Sequence, residues 1–460
     1  MRYELYGWLH KTAKYVLKRD NRLPNTVKLV SFPKEYEKDG CYEINKGDQV
    51  NEIYCMDNVI KKDRIYPVEN LVNAELDSKY PVSFVNNCQK IRCTNNLSEA
   101  SNLWKQFIEL SAIPDGYRNA GLHYAGYIKE CSQWCLPSWI WTNAALVRMY
   151  CLYGEISKAE KLGNFIINLQ TESGGWIVRN DYTREGVAPQ LAPNDSCYIG
   201  LNCCIELYKV TNKKMYLESA IKVAEWVMNT ARTDGMVWFS FDTKQNIWIK
   251  DRNIVDTGFT AGLFASLYEI TREDKYIAFL RKFVETYIKL FYMPNSKCFA
   301  TAIDGNDSQH GGAFGRGQGW ALEGLIPAYS VLKDETIKNV IESTIDTVLN
   351  KQLKNGGWSY NLLNPLMGED CKAVPVIARC LLEWAKIDTE NERLRVGAKR
   401  ALKWCVNHTA QISVAAGGIF SYTIEGAVVH HMYTNTAFVY SSSYALEVQK
   451  QIGDLTRGKR

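Results

Sequence analysis

The sequence predicts an all-α protein, an (α/α)6 toroid with an irregular N-terminal appendage, and three observations carry that prediction. Apolar segments rich in small residues return about every sixty positions. Each is accompanied by a charged, amphipathic segment, and a turn ending in an aromatic or apolar residue, most often with glycine in it, follows the amphipathic one. The chain has 460 residues, of which 46% are hydrophobic, 23% charged and 12% aromatic, ordinary usage that excludes disordered and fibrous classes.

The apolar segments are SWIWTNAALVRMYCLYG from Ser138, NDSCYIGLNCCIELYKV from Asn194, VDTGFTAGLFASLYEIT from Val255, GQGWALEGLIPAYSVL from Gly317, CKAVPVIARCLLEWAKI from Cys371 and TNTAFVYSSSYALEVQK from Thr434. Their starts are 56, 61, 62, 54 and 63 positions apart, one period within loop-length scatter. A helix that is apolar all round is buried on both sides, so these six form an inner ring. The segments between them, such as KKMYLESAIKVAEWVMNTA and EDKYIAFLRKFVETYIKLF, have one polar face and belong outside. Five outer helices follow inner ones, and the sixth partner is LSEASNLWKQFIELS at Leu97, which stands ahead of the first inner helix and closes the ring. The turns are SGGW at Ser173, TDGMVWF at Thr233, NSKCF at Asn295, NGGW at Asn355 and AGGIF at Ala416, where glycine suits a left-handed or tight turn.

Residues 96–460 are therefore assigned to the toroid and residues 1–95 to the appendage. Pro24, Pro33, Pro67 and Pro81 break up the appendage, CYEIN and NEIYCM read as short strands or extended lid segments, and its opening stretch reads as an amphipathic helix. That opening lacks the uninterrupted apolar core of a signal peptide, and no window approaches 18 consecutive apolar residues. Fourteen cysteines, two of them adjacent at Cys203 and Cys204, show no disulfide spacing and read as reduced thiols. A soluble cytoplasmic protein is expected. The net charge of +5 is spread without a basic run, so no nucleic-acid partner is expected. His430 and His431 are adjacent, but no His-x-x-x-His or Cys-x-x-Cys pair accompanies them, so neither metal nor cofactor is expected. Oligomeric state is not legible.

In such a ring the inner helices run the same way and their N-termini gather at one mouth. The polar residues concentrate there: Asp195 on the second inner helix, Asp256 on the third, Arg316, Gln318 and Trp320 on the fourth, Glu369, Asp370 and Lys372 at the fifth, and Asn435 at the sixth. Asn143, with Trp139 and Trp141, belongs to the first, and His310 precedes the fourth. Carboxylates, amides and a guanidinium among aromatic rings suit a sugar, the rings stacking on its apolar face. The planar fork of Arg316 and six convergent helix N-termini favour an acidic one. Plainer readings stand beside this: Asp195 and Asp256 as N-caps, Arg316 as an ion-pair partner, the tryptophans as core.

The stretch HGGAFGRGQGWALEGL, His310 to Leu325, resembles the Arg-Gly-Gln/Asn-x-Trp signature of the unsaturated glucuronyl and rhamnogalacturonyl hydrolases. VDTGFTAGLF around Asp256 and NDSCYIGLNC around Asp195 are similar to that family's two aspartate motifs, and the two aspartates lie 61 positions apart, about one repeat. The resemblance covers roughly residues 130 to 450. The N-terminal 95 residues have no counterpart in it, and Asp256 is followed by Thr-Gly-Phe, which changes the small pocket wall. The resemblance implies acid-catalysed hydration of a C4=C5 double bond in a terminal uronic residue, after which the hemiketal opens and expels the rest of the chain. It gives Asp256 the acid and water-activating roles, Asp195 a supporting role, and Arg316, Gln318, Trp320 and His310 the uronate. A second carboxylate nearby is expected to keep the acid protonated near neutral pH.

Two other classes remain open on the sequence. FIINLQTESGGW, Phe165 to Trp176, matches the Gln-Trp repeat of triterpene cyclases, yet no Asp-x-Asp-Asp or Asp-Asp-x-x-Asp run is present to protonate or ionise an isoprenoid. A non-hydrolytic role in making a surface polysaccharide, as scaffold, lyase or epimerase-like enzyme, is the more serious alternative.

Overall fold

The computed structural model describes residues 93–460 except 114–119, 129–132, 136–138, 180–189, 412–415, 421–427, 430–435 and 458–460, and before residue 93 only three short strands. Twelve helices follow in chain order: α1 (Leu97–Leu110), α2 (Ile140–Tyr153), α3 (Ile156–Asn168), α4, α5 (Lys214–Thr230), α6 (Phe259–Thr271), α7 (Asp274–Phe291), α8 (Gly315–Leu332), α9 (Glu335–Lys351), α10 (Ala373–Trp384), α11 (Glu392–Asn407) and α12 (Val439–Arg457). Helix α4 runs Pro193–Ile199, widens into a π-helical turn at Gly200–Ile205 and resumes at Glu206–Thr211. A 3-10 turn, Val255–Gly258, leads into α6.

The even-numbered helices form the inner ring. Each touches the next, and α12 returns to α2, so the ring is closed. In α2 every residue from Ile140 to Cys151 except Trp141 is buried, as an all-round apolar helix requires. The outer helices bury a single stripe, such as Tyr276, Leu280, Phe283, Val284, Tyr287 and Phe291 of α7. Helix α1 is the sixth outer helix: it packs on α12 and α11, and the Trp104 indole N–H donates to Thr409 Oγ1 at 2.8 Å.

The glycine turns explain how neighbouring outer helices are spaced. Gly174, Gly356 and Gly417 have φ of 110°, 98° and 92°. A Cβ on them would sit 2.5 Å from the Lys222 carbonyl oxygen of α5, 2.3 Å from that of Arg400 on α11 and 1.9 Å from that of Leu103 on α1. The third turn thus meets α1 as the others meet their next outer helix. In both GGW turns the indole N–H reaches back ten residues, Trp176 to the Ile166 carbonyl and Trp358 to the Val348 carbonyl, each at 2.8 Å. Gln170, the glutamine of the Gln-Trp pattern, donates to the carbonyls of Gly174 and Ser219 and so ties its turn to α5.

The two ends of the ring differ. At the back, four inner helices pass into outer ones through two residues, the first left-handed: Gly154, Asn212, Arg272 and Lys333. At the front, connections of 21 to 31 residues carry short antiparallel strands to the N-termini of the inner helices. Of the appendage, the described strands are Asn45–Lys46, paired with Gln49–Val50, and Ser83–Phe84, paired with Val428–Val429 of the last front connection. The expected first helix lies outside the described residues. No described helix is long and apolar enough to cross a membrane.

Candidate active site

Asp195 and Asp256 stand at the front on adjacent helices that contact each other through their first turns, and each is only 6% exposed. Neither is an N-cap. The cap positions are Ala192 and Ile254, neither with a side-chain capping bond, so the aspartates lie inside the first turn, where backbone N–H groups favour negative charge. Gly324 allows this placement: a Cβ there would meet the Gly258 carbonyl oxygen at 1.9 Å, so only glycine lets α8 approach the turn that carries Asp256.

Just inside the aspartates the lumen carries a collar of rings from five inner helices. Trp141 meets Tyr198 edge-on at 5.8 Å and Tyr440 at 5.2 Å; Tyr198 meets Phe259 at 4.6 Å; Phe259 meets Trp320 at 5.9 Å. Trp141 and its stacked neighbour Trp139, 5.7 Å away, are half-buried, whereas Tyr198, Phe259 and Tyr440 are buried.

The other expected ligands divide. Arg316 is fully buried; its Nη1 donates to Asp370 Oδ2 at 2.8 Å, and its guanidinium lies 4.6 Å from the Phe314 ring and 5.3 Å from those of Trp320 and Tyr360. Both amide hydrogens of Gln318 go to the carbonyls of Phe299 and Phe314, and its oxygen accepts from Phe299 N at 2.7 Å. Asn143 likewise clamps His123, accepting from its N at 2.7 Å and donating to its carbonyl at 3.1 Å. Both amides brace the backbone of front connections, and neither is exposed. His310 is exposed on the short strand Gln309–His310. Asn435 lies outside the described residues, as do His430 and His431. Glu369 turns away from the lumen, accepting from the Trp404 indole and the Asn355 amide; burial raises its carboxyl above the usual range.

Below the collar lies a cluster that the sequence reading did not single out. Arg148 of α2 makes a bidentate pair with Glu447 of α12, at 3.0 and 3.1 Å, and its Nη1 is 3.5 Å from Glu323 of α8. Arg379 of α10 bonds Glu323 at 2.9 Å and Glu447 at 3.0 Å. Helices α2 and α8 are opposite members of the ring, so a contact between their side chains spans the axis and plugs the lumen. Two arginines balance two glutamates. Burial opposes the charge of Arg148, yet the fields of Glu447, Tyr444, Tyr198 and Glu323 hold it above its ordinary value. The available signal was a lone charge in an otherwise apolar inner helix, which is costly unless paired. Among the described residues no group of three or more His, Cys, Asp or Glu side chains is placed to hold a metal.

The model of glycosyl hydrolase family 88 matches residues 128–444. The chain belongs to glycosyl hydrolase family 88. No curated protein matches it. Among solved structures, this family 88 chain is similar to an unsaturated glucuronyl hydrolase specific for heparin, at 14% identity and a TM-score of 0.60 over 79% of this chain and 99% of that one. The unsaturated glucuronyl hydrolase of Bacillus sp. GL1, responsible for the degradation of glycosaminoglycan, has 14% identity and a TM-score of 0.56 over 79% and 95%. A family 76 α-mannanase of Bacteroides thetaiotaomicron has 15% identity and a TM-score of 0.59 over 79% and 96%. Two glycosidase families thus share this toroid, and at such identities the likeness concerns the fold alone.

Proposed function

We propose that the protein hydrolyses oligosaccharides ending in an unsaturated uronyl residue, by hydration of the C4=C5 double bond. The observation that carries this is the placement of Asp195 and Asp256, two nearly buried carboxyl groups on adjacent first turns, within a family 88 toroid. The Asp256 carboxyl delivers its proton to C4, and positive charge develops at C5 beside the ring oxygen. Water adds to C5 and returns a proton to Asp256. The C5–O bond of the hemiketal then breaks to leave a ketone at C5; the hemiacetal freed at C1 collapses to an aldehyde and releases the remaining chain as an alcohol. Asp195 supports by its charge and by orienting the water. Trp141 and Trp320 stack on the ring, and His310 meets the substrate from the rim. Arg316 supports Trp320 from behind, its guanidinium paired with Asp370. The ionic plug supports attack on a chain end, because a polysaccharide cannot thread a lumen closed at mid-height.

Incubation with lyase-generated unsaturated uronyl oligosaccharides, followed by the ultraviolet absorbance of the conjugated double bond, tests this. Loss of signal that Asp256→Asn abolishes is the expected result. Unchanged absorbance together with binding of intact acidic polysaccharide overturns it in favour of the scaffold.

A further inference from the structure

The plug is puzzling as a stabilising element, since buried ion pairs seldom outperform apolar side chains of the same volume. Its connections give it another role. Two threads leave it, and both end on one residue. Arg148 Nη1 donates to Asn202 Oδ1, and Asn202 Nδ2 donates to the Tyr198 carbonyl at 3.0 Å. Tyr444 donates its hydroxyl hydrogen to Glu323 at 2.7 Å, which leaves the Tyr198 hydroxyl to donate to Tyr444 Oη at 2.8 Å. Tyr198 is thus gripped at its backbone and at the tip of its ring.

Tyr198 follows Asp195 by three residues, one helical turn, and Phe259 follows Asp256 by three. The two rings touch at 4.6 Å. Two residues after Tyr198, at Gly200, α4 passes into its π-helical turn, where the regular i to i−4 ladder is interrupted. Asn202, which binds the Tyr198 carbonyl through its side chain, sits inside that turn.

We infer that Tyr198 is a positioning residue and that the plug acts through it, holding the turn that carries Asp195 at a fixed distance from the turn that carries Asp256. The inference rests on the reading of the two aspartates as the reacting pair. It explains why polar atoms lie on the axis where apolar ones would pack as well: hydrogen bonds fix direction, and dispersion contacts do not. A displacement of about 1 Å between reacting groups lowers rate by roughly a hundredfold.

The test uses the full chain with Tyr444→Phe and Tyr198→Phe, which keep both rings and cut the hydroxyl thread. On an unsaturated uronyl disaccharide, kcat should fall about tenfold to a hundredfold with KM within about twofold, and the double variant should be no worse than either single one. In the substrate-free protein, carbon-13 resonances of the Asp195 and Asp256 carboxyls should titrate with shifted apparent midpoints in Tyr444→Phe. Unchanged kcat and unchanged titrations, with only a lower thermal midpoint, overturn the inference and leave the plug structural. If the wild type turns over no such substrate, the proposed function fails, and the carboxyl titrations alone decide the positioning role.

Discussion

At the back of the ring the chain passes from an inner helix to an outer one in two residues at four of five places and in seven between α10 and α11; at the front it takes 21 to 31. The same six hairpins make both ends, so the difference is not imposed by the repeat. The back turns need only a left-handed residue, which Asn212, Arg272 and Lys333 supply as well as Gly154 does. The front connections carry strands, aromatic anchors and amide braces, and they deliver Asp195 and Asp256 to neighbouring first turns. The comparison teaches that in this toroid the reacting groups are added where the chain is long, while the short turns at the back answer only to packing.

The largest expected effect lies at the front. Asp256→Asn should lower turnover of unsaturated uronyl substrates by about a thousandfold or more, with the thermal midpoint moved by only a few degrees, as checked by absorbance decay and calorimetry. A variant that unfolds would contradict the separation of front chemistry from scaffold. The next effect belongs to the plug. Arg148→Met leaves Glu447 and Glu323 with one arginine between them and should destabilise the fold by about 3–5 kcal/mol in urea unfolding.

A matched pair of glycines sharpens the comparison. Gly417→Ala at the front forces a positive φ and puts a methyl group against the Leu103 carbonyl, so a loss of about 3 kcal/mol is expected by denaturant midpoint. Gly154→Ala at the back has φ of 73° and nothing within 4 Å of the new Cβ, so only the backbone strain of about 1 kcal/mol remains. Equal losses would erase the distinction between the two ends.

The last effect is the response to acid. Burial lowers both His123 and His408 to about 4, while an unfolded histidine titrates near 6.5. The unfolded chain therefore takes up protons first, and stability present above about pH 6.5 declines as pH falls towards 4. His408→Gln should flatten that decline in thermal midpoints measured between about pH 7 and pH 5.

Much of this is legible in the sequence. The phase of the segments at Ser138, Asn194, Val255, Gly317, Cys371 and Thr434 placed the inner ring, because burial on every side leaves a composition no solvent-facing helix shares. The same phase brought Asp195 and Asp256 to one mouth. What sequence hides is direction within a turn. Gln318 and Asn143 sit at mouth positions, yet their amides fold back onto the chain, and nothing in GRGQG tells a brace from a ligand. Arg316 offers its charge to Asp370 in a box of rings, a partnership visible only once the fifth repeat lies beside the fourth. The axial charges were missed for a related reason: Arg148, Glu323, Arg379 and Glu447 come from four helices, and no local window contains a pair.

One seam holds the ring together, where α1 fills the outer place beside α11 and covers α12. Its tie from Trp104 to Thr409 joins positions 305 apart, and Gly417 presses on the same helix. During synthesis α1, made before the other described helices, must wait for the last two, its apolar stripe in water all the while. Closure of the ring is consequently a late, single locking event, and that stripe is the surface most in need of a chaperone until it occurs.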